Sequence, residues 1–375
     1  MSGDGRERRA DAGTGALVAS VAALFLPLGP AGWWFAHPTA FLLLLVLLLA
    51  AAVTRGSHAG PLPGLALAAA VLMASAAPLL VIDPAAPPGL AAPGLWLLLL
   101  ALVLAAFRAM ALLAAATARR GPAALLVPAL FGIGVLYVWE LLVRGFGIPG
   151  VLLPPPSAVG RALVANAELL RADFVQTFLR AVVPGWAMGC AAGFAVALLA
   201  DRIPFLARGL LPLGNLVAAL PIVGIAPILV MWFGFDWQSK AAVVVVMTFF
   251  PMLVNTLEGL RAAGRLEQDL MRSYAASYLV TLWKLRLPTA APFVFNALKI
   301  NSTLALIGAI VAEFFGTPIV GMGFRISTEV AKMALDLVWA TIAVAAVSGS
   351  AAYGLLALLE RRLTFWHPSF RRVEG

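Results

Sequence analysis

Few residues in this chain have the types and spacing that bond-making chemistry needs. His37, His58 and His367 are scattered and form no metal-ligand set. Cys190 is the single cysteine, sits inside an apolar run and has no disulfide partner in the chain. No Gly-x-x-x-x-Gly-Lys-Ser/Thr loop is present to cradle a nucleotide phosphate, and no Gly-x-Ser-x-Gly elbow presents a nucleophile. The chain is therefore expected to hold no catalytic group, metal or cofactor of its own. The informative residues are helix breakers and polar groups set in apolar surroundings. Pro221, Gly224 and Pro227 interrupt one apolar run. Proline removes a backbone donor and kinks a helix. Broken helices at membrane depth are tolerated where they are buried in protein or face a water-filled cavity. Asn255 lies near the end of the next run, and Asn301, Ser302 and Thr303 lie in the middle of another. Such side chains can bond neighbouring helices, the plainer reading, or line a polar path. Glu313 falls about 31 Å beyond Pro292 along a helix, near the far membrane face. An acid there is either a functional group or simply hydrated.

A different stretch breaks the apolar pattern altogether. Glu267 to Tyr278 is polar, reads as a helix, and closes at Leu285-Arg286-Leu287-Pro288. Arg261, Arg265, Arg272, Lys284 and Arg286 make it basic, which places it on the cytoplasmic side of a membrane. Its centre, Ala275-Ala276-Ser277, has small side chains that let a helix sit deep in a groove on another protein. Pro288 is expected to end this helix and open the next. Taken alone, the stretch is equally well read as an amphipathic helix lying on the membrane surface.

These residues must be positioned by membrane-spanning helices. Of the 375 residues, 62% are hydrophobic and 11% charged, with a mean hydropathy of +0.99. The apolar runs are long enough to cross a bilayer as helices and do not alternate as barrel strands would. The pattern predicts an all-α polytopic protein with about ten spans: 16–36, 39–53, 62–82, 93–118, 126–142, 181–200, 210–233, 241–257, 292–315 and 338–359. Residues 1–13 read as a disordered cytoplasmic tail, and Arg161 to Arg171 as an interfacial helix on the outer face. Arg108 interrupts the fourth span at a cost of roughly 2.5–3.5 kcal/mol at a helix centre. Its long stem is expected to reach the cytoplasmic surface. With both termini inside, 17 lysines and arginines fall on inner segments and 6 on outer ones, Lys240 among the latter. That asymmetry accounts for the net charge of +9 without nucleic acid.

From residue 121 onward the chain resembles a known family. Anchored on Leu287-Pro288, the polar stretch is similar to the Glu-Ala-Ala…Gly…Leu-Pro coupling loop of bacterial ABC-importer permeases. Asp269 then stands for the family's Glu, Leu270 and Met271 for its two Ala, and Ala275 for its Gly. The last three depart from the pattern, and Ala at 275 is expected to favour helix. Leu152-Leu153-Pro154-Pro155-Pro156-Ser157, Trp232-Phe233-Gly234, Glu313-Phe314-Phe315-Gly316 and Trp366-His367-Pro368 resemble motifs of the sulfonate, taurine, nitrate and pyrimidine-precursor permeases. The resemblance implies a permease core at 121–375 with about six helices, preceded by an extra membrane region of about four helices at 1–120 with no named role. It implies that Asp269, Met271, Tyr274, Ala275, Ala276, Ser277, Leu287 and Pro288 couple to an ATPase. Pro221, Gly224, Pro227, Asn255, Asn301, Ser302, Thr303 and Glu313 would line the translocation pathway. It further implies ABC ATPase subunits that use the ATP, an extracytoplasmic binding protein, a second permease copy, and a multi-pass location in the bacterial inner membrane. A pyrimidine precursor of thiamine or a riboflavin-like heterocycle is the first substrate expected, then sulfonate, taurine or nitrate. The rivals are a secondary transporter driven by an ion gradient, which calls for an inverted repeat and paired intramembrane acids, and an assembly protein without transport. Neither an inverted repeat nor such a pair is seen, and the kinked, polar spans count against a passive role.

Overall fold

The computed structural model describes residues 4–28, 34–54, 61–83, 86–116, 125–218, 221–316 and 319–366. His58, His367, Pro368 and the basic residues Arg55, Arg119, Arg120, Arg371 and Arg372 lie outside them. The described residues form helices joined by turns and divide into two compact units, residues 1–160 and 161–375. Seven described helical stretches are long and apolar enough to cross a membrane, and three apolar helices are shorter.

The first unit holds α1 (Asp4–Leu24), α2 (Pro38–Thr54), α3 (Pro61–Ala74), α4 (Ala76–Val81), α5 (Pro93–Ala116) and α6 (Leu126–Gly145), followed by α7 (Pro156–Ala165), which runs across the division. The helix of α1 begins within the segment expected to be a disordered tail. Small residues let α1 approach α5: Ala16, Ala19 and Ala23 bury with Leu98, Ala101, Ala105 and Ala109. The run 62–82 bends at Ser75, whose carbonyl accepts a 2.6 Å bond from the Tyr137 hydroxyl of α6. Trp96 of α5 stacks on Phe146 just beyond α6, with ring centroids 4.5 Å apart. Arg108 is buried beside Gly13, near the polar start of α1, so its head is covered by protein rather than water.

The second unit is built on α12 (Trp237–Arg261), packed between α9 (Val183–Arg202) and α15 (Leu287–Glu313). Gly185, Gly189 and Gly193 recur every fourth residue of α9 and face α12. A methyl group at Gly185 would stand 2.8 Å from the Ala241 carbonyl, and one at Gly189 would strike the Thr248 hydroxyl. Small residues at this spacing bring two backbones close enough for dispersion contacts along their length. The α9 rod starts earlier than the expected boundary at 181. It continues without interruption from α8 (Ala167–Phe174) through a π-helical segment at Val175–Val182. Arg161 to Arg171 is thus no separate helix but is shared between α7 and α8. Pro184 follows the wide segment directly. Its ring needs relief from the carbonyl four residues back, and an i→i+5 turn supplies it. The run 210–233 is also not one span: it divides into α10 (Pro204–Ala218) and α11 (Ile222–Phe233), with Pro221 in extended backbone at the junction. The unit is completed by α13 (Arg265–Ser273), α14 (Tyr278–Thr281), α16 (Met322–Ala331) and α17 (Leu335–Leu363).

Candidate functional site

Between α12 and α15 the chain leaves the bundle and returns. No residue of α13 is buried. Its ion pair, Arg272 Nη1 to Asp269 Oδ1 at 3.0 Å, is exposed on both sides and contributes about 0–1 kcal/mol. The polar helix does not run to Tyr278 as expected. It ends at Ser273 in a Schellman motif: the Ala275 amide donates to the Arg272 carbonyl and the Ala276 amide to the Met271 carbonyl. That motif requires a left-handed residue after the helix, and Ala275 has φ +53°. Alanine at 275 therefore terminates the helix rather than extending it. Ser277 caps the next helix by accepting from the Val280 amide. From Tyr278 the backbone runs helically to Glu313 through a π segment at Leu282–Arg286. Pro288 stands in the first turn of α15, as expected, but that helix follows the wide turn without a break, and the wide turn relieves the proline ring.

One exposed face of this turn is apolar. Leu266, Leu270 and Tyr274, four residues apart on one face, are 82%, 56% and 77% exposed. Leu279 and Trp283 are exposed just beyond the turn. Asp269, Tyr274, Ala275 and Ser277 are exposed as expected of a docking surface, Met271 and Ala276 are half-buried, and Leu287 and Pro288 belong to the rod behind it. Sequence reasoning passed over Leu266 and Trp283, although the spacing of 266, 270 and 274 was readable. It also passed over what holds the turn in place. Arg286 donates to both oxygens of Asp201, at 2.8 and 2.6 Å, and through Nε to the Leu260 carbonyl at 3.0 Å. The Tyr278 hydroxyl donates to Asp201 at 2.7 Å.

The expected pathway residues divide into two groups. Asn301 is fully buried, and its Nδ2 donates to the Thr248 carbonyl at 2.8 Å and to Cys190 Sγ at 3.3 Å. It joins α15 to α12 and α9, which is the plainer reading of that residue. Ser302 is buried and bonds the Lys299 carbonyl, and half-buried Asn255 bonds the Pro251 carbonyl of its own helix. Ser302 lies on a cleft of about 580 Å³ between the α8–α9 rod and α17, lined mainly by Phe174, Phe178, Trp186 and Leu355. Thr303, by contrast, is exposed, in register with exposed Asn296, Ile300 and Ile307 along one stripe of α15. Pro221 and Gly224, beside exposed Val223 and Ile228 on the adjacent α11, are also exposed, and Pro227 is half-buried.

Glu313 is buried at the C-terminal end of α15 and takes part in a cap. The amides of Gly321, Met322 and Gly323, at the unsatisfied N-terminus of α16, donate to Asp173 Oδ1, Thr177 Oγ1 and Glu313 Oε2 at 2.8, 2.7 and 2.7 Å. The Thr177 hydroxyl donates onward to Glu313 at 2.8 Å, and Arg325 pairs with Asp173 at 2.8 Å. Lys240, counted among outer-segment charges, is fully buried and donates to the Phe235 carbonyl at 2.6 Å.

Residues 189–365 match the family described as the binding-protein-dependent transport system inner membrane component. A probable ABC transporter permease protein of Haemophilus influenzae is 33% identical over 218 residues, 58% of this chain and 88% of that protein. The formylaminopyrimidine transport permease protein of Halalkalibacterium halodurans is 30% identical over 241 residues, 64% of this chain and 96% of that protein. A riboflavin transport system permease protein of Chloroflexus aurantiacus is 29% identical over 236 residues, 63% of this chain and 88% of that protein.

Proposed function

The chain belongs to the family of binding-protein-dependent inner-membrane permeases of ABC importers, and from that premise we propose that it carries a small aromatic heterocycle into the cytoplasm, driven by ATP hydrolysis on a separate subunit. It is a multi-pass inner-membrane protein, and its relatives are transport permeases. The observation that carries the coupling reading is the exposed apolar face of Leu266, Leu270 and Tyr274 on a helix held outside the bundle. Apolar side chains repeated on one face of an otherwise polar helix call for a hydrophobic groove on a partner. That partner is an ABC ATPase subunit, one for each of two permease copies. An extracytoplasmic binding protein delivers the solute to the opposite side. ATP-driven closure of the two ATPases would shift α13 and, through it, the α11 and α15 face carrying Gly224, Thr303 and Asn296 between inward-open and outward-open states. The chain itself holds no cofactor in this reading.

The substrate class rests on the formylaminopyrimidine and riboflavin relatives, with sulfonate, taurine or nitrate as the second choice. The test is uptake into vesicles containing the permease, ATPase and binding protein, with a labelled formylaminopyrimidine, riboflavin and taurine compared. ATP-dependent uptake of a heterocycle is expected, along with loss of ATPase capture in Leu270→Asp at normal membrane insertion. Uptake that survives removal of the ATPase and collapses with a proton or sodium gradient would sink the reading in favour of a secondary transporter.

A further inference from the structure

We infer that Asp201 and Arg286 form the positioning joint through which α13 moves the spans, an inference that rests on the proposed coupling role of α13. The polar turn leaves α12 at Arg261 and rejoins a helical rod at Tyr278. Between them the chain leaves the helix at Ala262–Gly264 and at Tyr274–Ser277, so the push of α13 on the spans depends on what ties these ends to the bundle. The structure supplies the tie 13 residues beyond α13. Arg286 sits on the returning rod and bonds two different helices at once: both Asp201 oxygens at the end of α9, and the Leu260 carbonyl at the end of α12. The Asp201 side chain is 6% exposed and that of Arg286 16%. A two-pronged guanidinium–carboxylate pair fixes orientation as well as distance. Its cover from water keeps it from being screened as a surface pair would be.

Tyr278, the first residue of the returning helix, adds a hydrogen bond from its hydroxyl to the same Asp201 carboxylate, and Arg202 lies 4.7 Å over its ring. Four contacts thus converge where the turn meets the bundle, all within the second unit and none on the docking face. A force applied at Leu266, Leu270 or Tyr274 can reach α9 through the Asp201 carboxylate and α12 through the Leu260 carbonyl, beside the apolar packing of Leu198, Leu260 and Leu282. The pair acts on the moving parts through position and touches no solute. A pair that served only to hold the fold would lose stability on removal and would leave the coupling between hydrolysis and movement proportionate.

The experiment uses the full assembly of permease, ATPase and binding protein in lipid nanodiscs. A Thr303→Cys reporter on α15 is labelled by a charged maleimide with and without ATP, and ATP hydrolysis is measured on the same samples. Buried Cys190 gives the background, read from the chain without the reporter. Arg286→Gln and Asp201→Asn are expected to hydrolyse ATP near the unaltered rate while the ATP-dependent change in labelling shrinks about fivefold or more, the span of a typical coupling energy. Arg286→Lys keeps the charge but loses the fork, and an intermediate response is expected of it. If either neutral variant fails to fold, Tyr278→Phe removes one bond to Asp201 and should weaken the response by itself. Labelling that still answers ATP fully in these variants overturns the inference, as does a parallel fall of hydrolysis and response. An unaltered assembly that hydrolyses ATP without changing the labelling of the reporter would instead overturn the proposed path, and this inference with it.

Discussion

Ala275 occupies a backbone conformation that glycine adopts freely and alanine does not. Holding an L-residue in the left-handed region costs about 1–2 kcal/mol, so Ala275→Gly is expected to raise the melting temperature of the solubilised protein or leave it level, with ATPase capture intact. Ala275→Val, branched at Cβ, should lower both. Anchoring on Leu287-Pro288 set Ala275 opposite the family's glycine, yet the expectation drawn from alanine's helix preference was the reverse of what the backbone does there. Propensity ranks residues for helix interiors and is silent on the residue that ends one. Glu313 is a second case where burial decides. Each of its oxygens accepts one bond, from Thr177 and from the Gly323 amide. In Glu313→Gln one acceptor becomes a donor, so the Thr177 hydroxyl loses the oxygen it donates to, a loss of about 1–3 kcal/mol. A fall in melting temperature, with Thr177→Val falling in the same direction, would fit the cap; an unchanged melt would argue that the side chain is free to serve the pathway.

At the scale of elements, the glycine face of α9 makes the sharpest prediction. Gly189→Ala forces a methyl onto the Thr248 side chain and the Val245 backbone, and overpacking of that kind costs about 1–3 kcal/mol. Gly134→Ala in α6 meets nothing within 4 Å and should be neutral or mildly stabilising, since alanine favours helix over glycine by about 1 kcal/mol. Parallel thermal melts of the two variants separate packing from propensity. Long apolar runs were legible because hydropathy accumulates over twenty residues, and the runs are helical, but 210–233 divides in two and the helix of the run 16–36 ends at Leu24. Their ends were less legible. The π segments at 175–182 and 282–286 leave no periodic signal, and only the prolines after them hint at a widened turn. The pairing of Asp201 with Arg286, 85 residues apart, could not be read from sequence at all, because nothing local to either residue reports the other. The docking face was partly legible: the polar stretch stood out, but its apolar stripe was masked by the surrounding charge.

For the whole molecule, the first unit lies outside the family match at residues 189–365. Within that unit α5 and α6 are joined by the Trp96–Phe146 stack, and Tyr137 reaches the bend after α3. Removing residues 1–120 therefore strips α6 of its packing. The truncated chain is expected to insert and to capture the ATPase, because α13 is distant in sequence and in the other unit, but to melt at a lower temperature. Equal melting temperatures would show that α6 finds other cover.

The seam between α9 and α12 also bears on how such a protein can move. The glycines have no rotamers, so on the α9 side closing this contact freezes little side-chain freedom, and what is frozen belongs to Val244, Thr248 and Met252 on α12. A joint with so little to reshuffle offers few second arrangements. The two helices are thus best regarded as a keel: the working stroke has to bend the hull elsewhere, where side chains can trade one fit for another.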